Sequence, residues 1–242
     1  MTEFDHIVVG GGSAGSALAF RLATHRPTET VLLLEAGGRD LSPFIHVPAA
    51  IIKAMGNPSL DWMHMAEPDE SRNGKVDLWP AGKVLGGSSS INGMLYVRGQ
   101  AHDYNRWAEN GCTGWSYDEL LPVFQRLERT LIGDHKVRGR TGPVNVESLR
   151  TPHPLAHVFV EAAKESGIPF NDDYNGIEQF GVAYSQVTQS RGWRYHAARA
   201  YLWPGKKPSN LKIITRAMVT GLTFDGTRCT GVSFKKGSAL KT

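Results

Sequence analysis

The first 37 residues constrain the fold more than any other stretch. Phe4-Asp5-His6-Ile7-Val8-Val9 has strand character, and Gly10-Gly11-Gly12-Ser13-Ala14-Gly15 follows it directly. Ser16 to His25 is small and apolar in the manner of a helix, and Val31 to Leu34 is a second apolar strand that ends on Glu35. Strand, glycine turn, helix and strand make a β-α-β unit, with Gly10, Gly12 and Gly15 at the spacing of a dinucleotide-binding fingerprint. Gly10 permits the tight turn out of the strand. Gly12 lacks a Cβ, so a pyrophosphate can approach the backbone, and Gly15 lets helix and strand pack closely. The first-turn N–H groups and the helix dipole then face phosphate charge. Glu35 stands 20 residues beyond Gly15, where a carboxylate accepts both hydroxyls of an adenosine ribose. It would repel a 2′-phosphate, which disfavours NADP and leaves FAD and NAD open.

The rest of the composition narrows the class. The chain has 242 residues, 40% hydrophobic and 21% charged, with a net charge of +4. That is enough for one large domain or two small ones. Its basic residues are dispersed, and the pairs Lys206-Lys207 and Lys235-Lys236 read as solvated loop or tail charge, so no nucleic-acid face is expected. No apolar run approaches the length of a membrane span. The acidic start enters a strand within a few residues, so no secretory signal is expected. Cys112 and Cys229 form no metal motif and read as reduced thiols, in keeping with a cytoplasmic protein.

Along the chain, Ile45 to Ala54 reads as a short helix and Asp61 to Met65 as a short extended piece. Gly82 to Gly99 is too rich in glycine and serine for regular structure until Ile91 to Val97, which is helix-compatible. A glycine-serine loop entering a helix is again a cofactor-facing geometry. Tyr104 to Glu109 reads as a helix. Ser116 with Glu119 forms a capping box for a second helix, which bears Leu120, Leu121, Phe124 and Leu127 on its apolar face. Leu131 to Gly142 reads as an exposed loop and Gly142 to Val146 as a strand. Pro154 to Ser166 reads as an amphipathic helix with Leu155, Val158, Phe159 and Ala162 inward. Gly181 to Thr188 alternates like a strand, and Ala197 to Leu202 is a short helix. Asn210–Thr215, Met218–Phe224 and Cys229–Phe234 are strands, with Asp225-Gly226 as a hairpin turn before a polar tail.

The stretch Gly82-Lys83, Leu85-Gly86-Gly87-Ser88-Ser89, Ile91-Asn92 and Tyr96 with Gly99 resembles the first signature of the glucose–methanol–choline (GMC) oxidoreductases, in particular the choline-dehydrogenase-like branch. The resemblance extends from Phe4-Asp5 through Asp61-Trp62 and Arg199-Ala200-Tyr201-Leu202 to Gly231-Val232. It implies an α/β, Rossmann-like FAD-binding domain at residues 1–149 and 192–242, interrupted at 150–191 by the start of a substrate domain. It implies that Gly10, Gly12, Ser13, Ala14 and Gly15 cradle the FAD pyrophosphate, with Glu35 on the adenosine ribose and Ala36 beside it. Trp62 would lie near the adenine end, and Val219 would meet the adenine through its backbone. Val84, Gly87, Ser88, Asn92, Gly93, Met94 and Leu95 would line the flavin ring and its ribityl chain. Some members carry the flavin covalently on a histidine at the position of Ile91, so here the FAD is expected to be non-covalent.

The implied reaction is oxidation of a small-molecule alcohol to an aldehyde by hydride transfer to the flavin, with an unassigned electron acceptor. Members of the family are much longer, and their general-base histidine lies beyond Thr242. None of the nine histidines here has a matching context, and His153, His157 and His196 read as surface or loop residues. The alternative expectation is a truncated, inactive chain that binds FAD weakly or not at all. An NAD-dependent dehydrogenase leaves Gly82 to Gly99 unexplained.

Overall fold

The computed structural model describes residues 3–203, 205 and 207–241. Lys206 and Thr242, members of the expected basic pair and polar tail, lie outside the described residues. The chain forms two compact units, Met1–Gly93 with His196–Thr242, and Met94–Tyr195.

The first unit is built on a parallel sheet of β1 (His6–Val9), β2 (Val31–Glu35) and β3 (Leu211–Thr215), in the order β1-β2-β3. Helix α1 (Ser13–His25) makes the crossover from β1 to β2. Every residue of β2 is buried, which explains why its sequence runs apolar without alternation. Leu32 and Leu34 form a core cluster with Ala217, Val232 and Phe234. The last two belong to an antiparallel meander of β4 (Met218–Asp225), β5 (Arg228–Lys236) and β6 (Ala239–Lys241). Gly226, at φ +57°, makes the expected turn between β4 and β5. The tail is not irregular: Gly237 turns at φ +62° and Lys236 pairs with Ala239, so β6 is stabilised by backbone pairing that its polar sequence does not signal.

α1 buries Ser16, Ala19 and Ala23, small residues that bring the helix close to the sheet. A Cβ on Gly15 would lie 1.9 Å from the Gly10 carbonyl oxygen, so this crossing requires glycine. After β2 the expected helix divides into two single turns, Pro43–His46 and Ile51–Ala54, because Pro48 interrupts the run. Ile45, Ala54, Leu60, Val84 and Ile91 form a second cluster. His64–Met65 pairs antiparallel with Leu78–Trp79. Ala198–Leu202 is a single π-helical turn.

The stretch Ile91 to Val97 is not helical. Gly86 and Gly87 take φ +93° and +56°, a 3-10 turn covers Gly87–Ser90, and Met94 takes φ +62°, which no helix admits.

The second unit carries α2 (Ala101–Glu109), α3 (Tyr117–Leu127) and α4 (Pro154–Glu165). The Glu119 carboxylate accepts from both the N–H (3.1 Å) and the hydroxyl (2.6 Å) of Ser116, as the capping pattern predicts. Of the expected strand at 181–188 only Gln186–Val187 pairs as one, with Glu147–Ser148. The expected face of α4 is wrong. Val160 and Ala163 are buried, whereas Leu155, Val158 and Phe159 are 63–69% exposed. Val160 and Ala163 pack against Val182 and Tyr184, whereas the expected Ala162 is exposed as well, so a different stripe of the helix faces the core.

The expected exposed loop at 131–142 also needs correction, because it contributes the buried Arg138. Its guanidinium donates to Glu128 (2.9 and 3.2 Å) and Gln186 (3.0 Å) and pairs with Asp173. Arg98 donates to the same Glu128 carboxylate at 2.6 Å. Desolvation would lower the Arg138 pKa, but Glu128 and Asp173 raise it further, so the charge is held. Tyr96 beside this group is pushed up to about 12, by burial first and the Glu128 charge second.

Arg138→Met would leave the partly buried Asp173, and part of the buried Glu128, without their cation. A loss of about 3–5 kcal/mol is expected, read as a lower urea midpoint. A midpoint equal to the wild type's would show that the network adds nothing to stability.

Candidate functional site

The carboxyl ends of β1 and β2 open on a cleft of about 280 Å³. Its walls include Gly10, Gly12, Glu35, Ala36, Trp62, Gly87 and Val219, all of which the sequence reading selects. Val9, Leu34, Gly82, Ala217 and Met218 complete it. This is where open parallel sheets place ligands, beyond the carboxyl ends of the strands.

Glu35 is 5% exposed and divides its carboxylate between two backbone donors, Gly11 N–H and Gly37 N–H, each at 2.7 Å. Each oxygen keeps a further lone pair. Burial pushes the carboxyl above the usual glutamate range, and the Gly37 and Gly11 N–H groups pull it back only in part. Gly10 makes the turn at φ +92°, with its N–H on the Leu34 carbonyl at 2.7 Å. The first bond inside α1 runs from Ser16 N–H to Gly12 O (2.9 Å), so the amides of Ser13, Ala14 and Gly15 have no acceptor within the helix. No acidic side chain occupies that first turn. Free amides and an uncompensated helix dipole suit an anion.

A second glycine loop stacks on the first. Gly86 N–H donates to Gly11 O at 2.7 Å, and a Cβ on Gly87 would lie 2.6 Å from Gly12 Cα. A Cβ on Gly82 would lie 2.2 Å from the Gly87 carbonyl oxygen. The cleft therefore has walls of bare backbone, which admit a polyanionic ligand closer than side chains would.

The remaining expected residues divide by location. Val84 is wholly buried in the core, so its side chain does not face the cleft. Ser88, Asn92 and Gly93 are exposed, and Ser88 Oγ accepts from Gly82 N–H at 3.1 Å. Met94 and Leu95 belong to the second unit, where the Met94 carbonyl accepts from Thr188 N–H at 2.8 Å. Sequence reasoning passes over Gly11 and Gly37, the donors to Glu35. Their signal is a third glycine inside the fingerprint and a glycine two residues after the acid. His196 is 2% exposed, not a surface residue, with Nε2 3.3 Å from Asp40 Oδ2. His153 caps α4 by accepting from Leu155 N–H at 3.2 Å, and His157 meets the Tyr184 hydroxyl at 2.7 Å. Cys112 and Cys229 are free and exposed. Among the described residues, no group of His, Cys, Asp and Glu could hold a metal ion, and no helix is long and apolar enough to cross a membrane.

The family model for GMC oxidoreductases matches residues 4–242. The chain belongs to the GMC oxidoreductase family. It is 43% identical over 239 residues to the oxygen-dependent choline dehydrogenase of Sinorhizobium fredii (strain NBRC 101917 / NGR234), covering 99% of this chain and 43% of that protein. It is 41% identical over 241 residues to the mitochondrial choline dehydrogenase of Mus musculus, covering 97% and 40%. The chain therefore spans less than half the length of the curated relatives it matches. Among solved structures, pyridoxine 4-oxidase from Mesorbium loti superposes with a TM-score of 0.93 at 34% identity, over 99% of this chain and 47% of that one. An FAD-dependent oxidoreductase from Chaetomium thermophilum gives 0.88 at 30% identity, over 99% and 43%. The expected family and the Rossmann-like α/β fold are both borne out.

In this GMC chain the unfolded Glu35 ionises before the folded one as pH rises. The group's contribution to stability is thus present below the usual glutamate range and lost as pH rises through the raised folded-state pKa. Glu35→Gln removes that fall, and it costs about 1–3 kcal/mol because an amide NH2 then faces one N–H donor. Urea midpoints of both proteins over about pH 4 to 8 should show the gap narrowing as pH rises. A constant gap would mean that the carboxylate is not strained by burial.

Proposed function

We propose that the cleft holds the adenosine and pyrophosphate of FAD, and that the chain contributes the FAD-binding part of an oxidoreductase acting on CH–OH groups. The observation that carries this reading is the convergence of Gly10, Gly12, Glu35, Gly82 and Gly87 on one cleft, with Gly12 and Gly87 backbone to backbone. The amides of Ser13, Ala14 and Gly15 would meet the pyrophosphate, supported by the α1 dipole. Glu35 would accept the ribose hydroxyls on the lone pairs its backbone bonds leave free, and Ala36 would lie beside the ribose. Trp62 and the Val219 backbone would bound the adenine. Gly87, Ser88, Asn92 and Gly93, with the main chain of Val84, would meet the ribityl chain and the flavin.

Ile91 is 2% exposed within the core cluster and carries no nucleophile, which supports non-covalent binding. Bound FAD would supply the two-electron acceptor for oxidising an alcohol to a carbonyl compound. The named activity of the relatives supports a small alcohol of the choline class as donor. No histidine of this chain is assigned as the base. The division into FAD-binding segments at 1–149 and 192–242, with a substrate-domain excursion at 150–191, is part of the same proposal. Compact units are defined by internal packing, and ligand domains by what they bind.

Purified protein mixed with FAD should retain yellow colour after gel filtration and release it to the supernatant on acid precipitation. In Gly12→Ala the new Cβ would lie 3.8 Å from Gly87 Cα, an ordinary contact, so the fold should persist while the methyl group occupies the pyrophosphate approach. A folded Gly12→Ala protein that binds FAD as well as the wild type would defeat this assignment.

A further inference from the structure

Asp61, which has no contact assigned in the proposed FAD site, is a buried carboxylate next to a wall of the cleft. It is 2% exposed. Its Oδ1 accepts from Met63 N–H and Ala81 N–H, and its Oδ2 from Gly56 N–H, all at 2.9 Å. Trp62, between Asp61 and Met63, donates its own N–H to the Ala81 carbonyl at 2.8 Å, and Lys83 N–H donates to Leu60 O at 2.7 Å. The segment 60–63, just before the His64–Met65 strand, is thus strapped to 81–83, the entry to the second glycine loop. Met63 takes φ +57°, a left-handed conformation that a methionine does not adopt unassisted. The Trp62 ring lines the cleft, with Lys83 Nζ 4.7 Å from its centroid and the His64 ring nearly parallel at 6.0 Å.

We infer that Asp61 is the positioning residue for Trp62. By collecting the N–H groups of Met63, which follows that residue, of Gly56 before it and of Ala81 on the facing segment, it fixes the aromatic wall of the dinucleotide cleft. A carboxylate suits this task because all three partners are donors and it offers only acceptors. An asparagine would turn an NH2 towards at least one of them. Burial pushes the Asp61 carboxyl up, but the Met63, Gly56 and Ala81 N–H groups outweigh it and hold the group below the usual aspartate range, so it stays charged. The bland account is an aspartate that merely closes a turn, with Trp62 standing where it does for other reasons. The inference rests on the proposed FAD site and separates from it experimentally.

The test is a double-mutant cycle on FAD affinity, measured by quenching of flavin fluorescence when FAD alone is added to the full chain, with folding checked by circular dichroism. Wild type, Trp62→Ala, Asp61→Asn and the double variant are compared. Trp62→Ala should weaken binding about tenfold, as loss of one aromatic stacking surface does. Asp61→Asn should weaken it by a similar factor, and the double variant by no more than Trp62→Ala alone, because an unpositioned tryptophan and an absent one are equivalent. A purely structural aspartate would give multiplying losses, and that result, or an Asp61→Asn affinity equal to the wild type's, overturns the inference. If wild type itself binds no FAD, the cleft reading fails and the inference falls with it. If Asp61→Asn does not fold, Met63→Gly decides. It keeps the carboxylate and its bonds while freeing the strained backbone, so affinity should stay within about twofold. A loss of about tenfold would place the control in the Met63 backbone and overturn the role of Asp61.

Discussion

The first unit depends on one buried carboxylate. Glu35 ends the central strand and ties two turns to it, through Gly11 on one side and Gly37 on the other. From that junction the contacts spread. The Glu35 carbonyl accepts from Ala217 N–H at 2.9 Å and the Gly37 carbonyl from Arg216 N–H at 2.7 Å, so the exit of β3 is fixed to the exit of β2. A Cβ on Gly37 would lie 1.9 Å from the Lys83 carbonyl oxygen, which seats the second glycine loop against the same turn. A carboxylate is costly to bury, and here the compensation comes from backbone amides that would themselves lack partners without it.

The glycines around this carboxylate do more than turn the chain. Gly87 against Gly12, Gly82 against Gly87 and Gly15 against Gly10 are approaches in which backbone occupies the space of a side chain. Packing backbone on backbone gathers amide N–H groups and a helix N-terminus at one surface and leaves no methyl group in the way. That combination favours phosphate. It also makes the cleft intolerant of substitution at positions that a contact inventory of side chains would not reveal.

The second unit solves a different problem. Its interior around Arg138 is charged, with two guanidinium groups, two carboxylates and amide side chains compensating one another. Such a network is stable only when complete, because each member removed leaves a charge without its partner. Leu155, Val158 and Phe159 of α4 stay exposed while Val160 and Ala163 are covered, so the helix packs through the stripe that meets Val182 and Tyr184.

What the sequence determined by itself was local. The fingerprint glycines, the capping box at Ser116 and the hairpin at Asp225 depend on neighbours within a few positions, the β-α-β unit on one contiguous segment of about 30 residues, and each formed as the pattern required. The family was also legible, because Gly82 to Gly99 is a long run of unusual composition. Only the tertiary structure decided which face of α4 is buried, that Arg138 and His196 lie inside, that Ile91 to Val97 is not a helix, and that the polar tail adds a strand. It also showed Asp61 strapped to Gly56, Met63 and Ala81. The burial of Arg138 shows the physical reason most directly. A charged or polar residue is buried when its partners arrive from distant segments, as Asp173 reaches Arg138 across 35 positions, and no local pattern encodes that arrival.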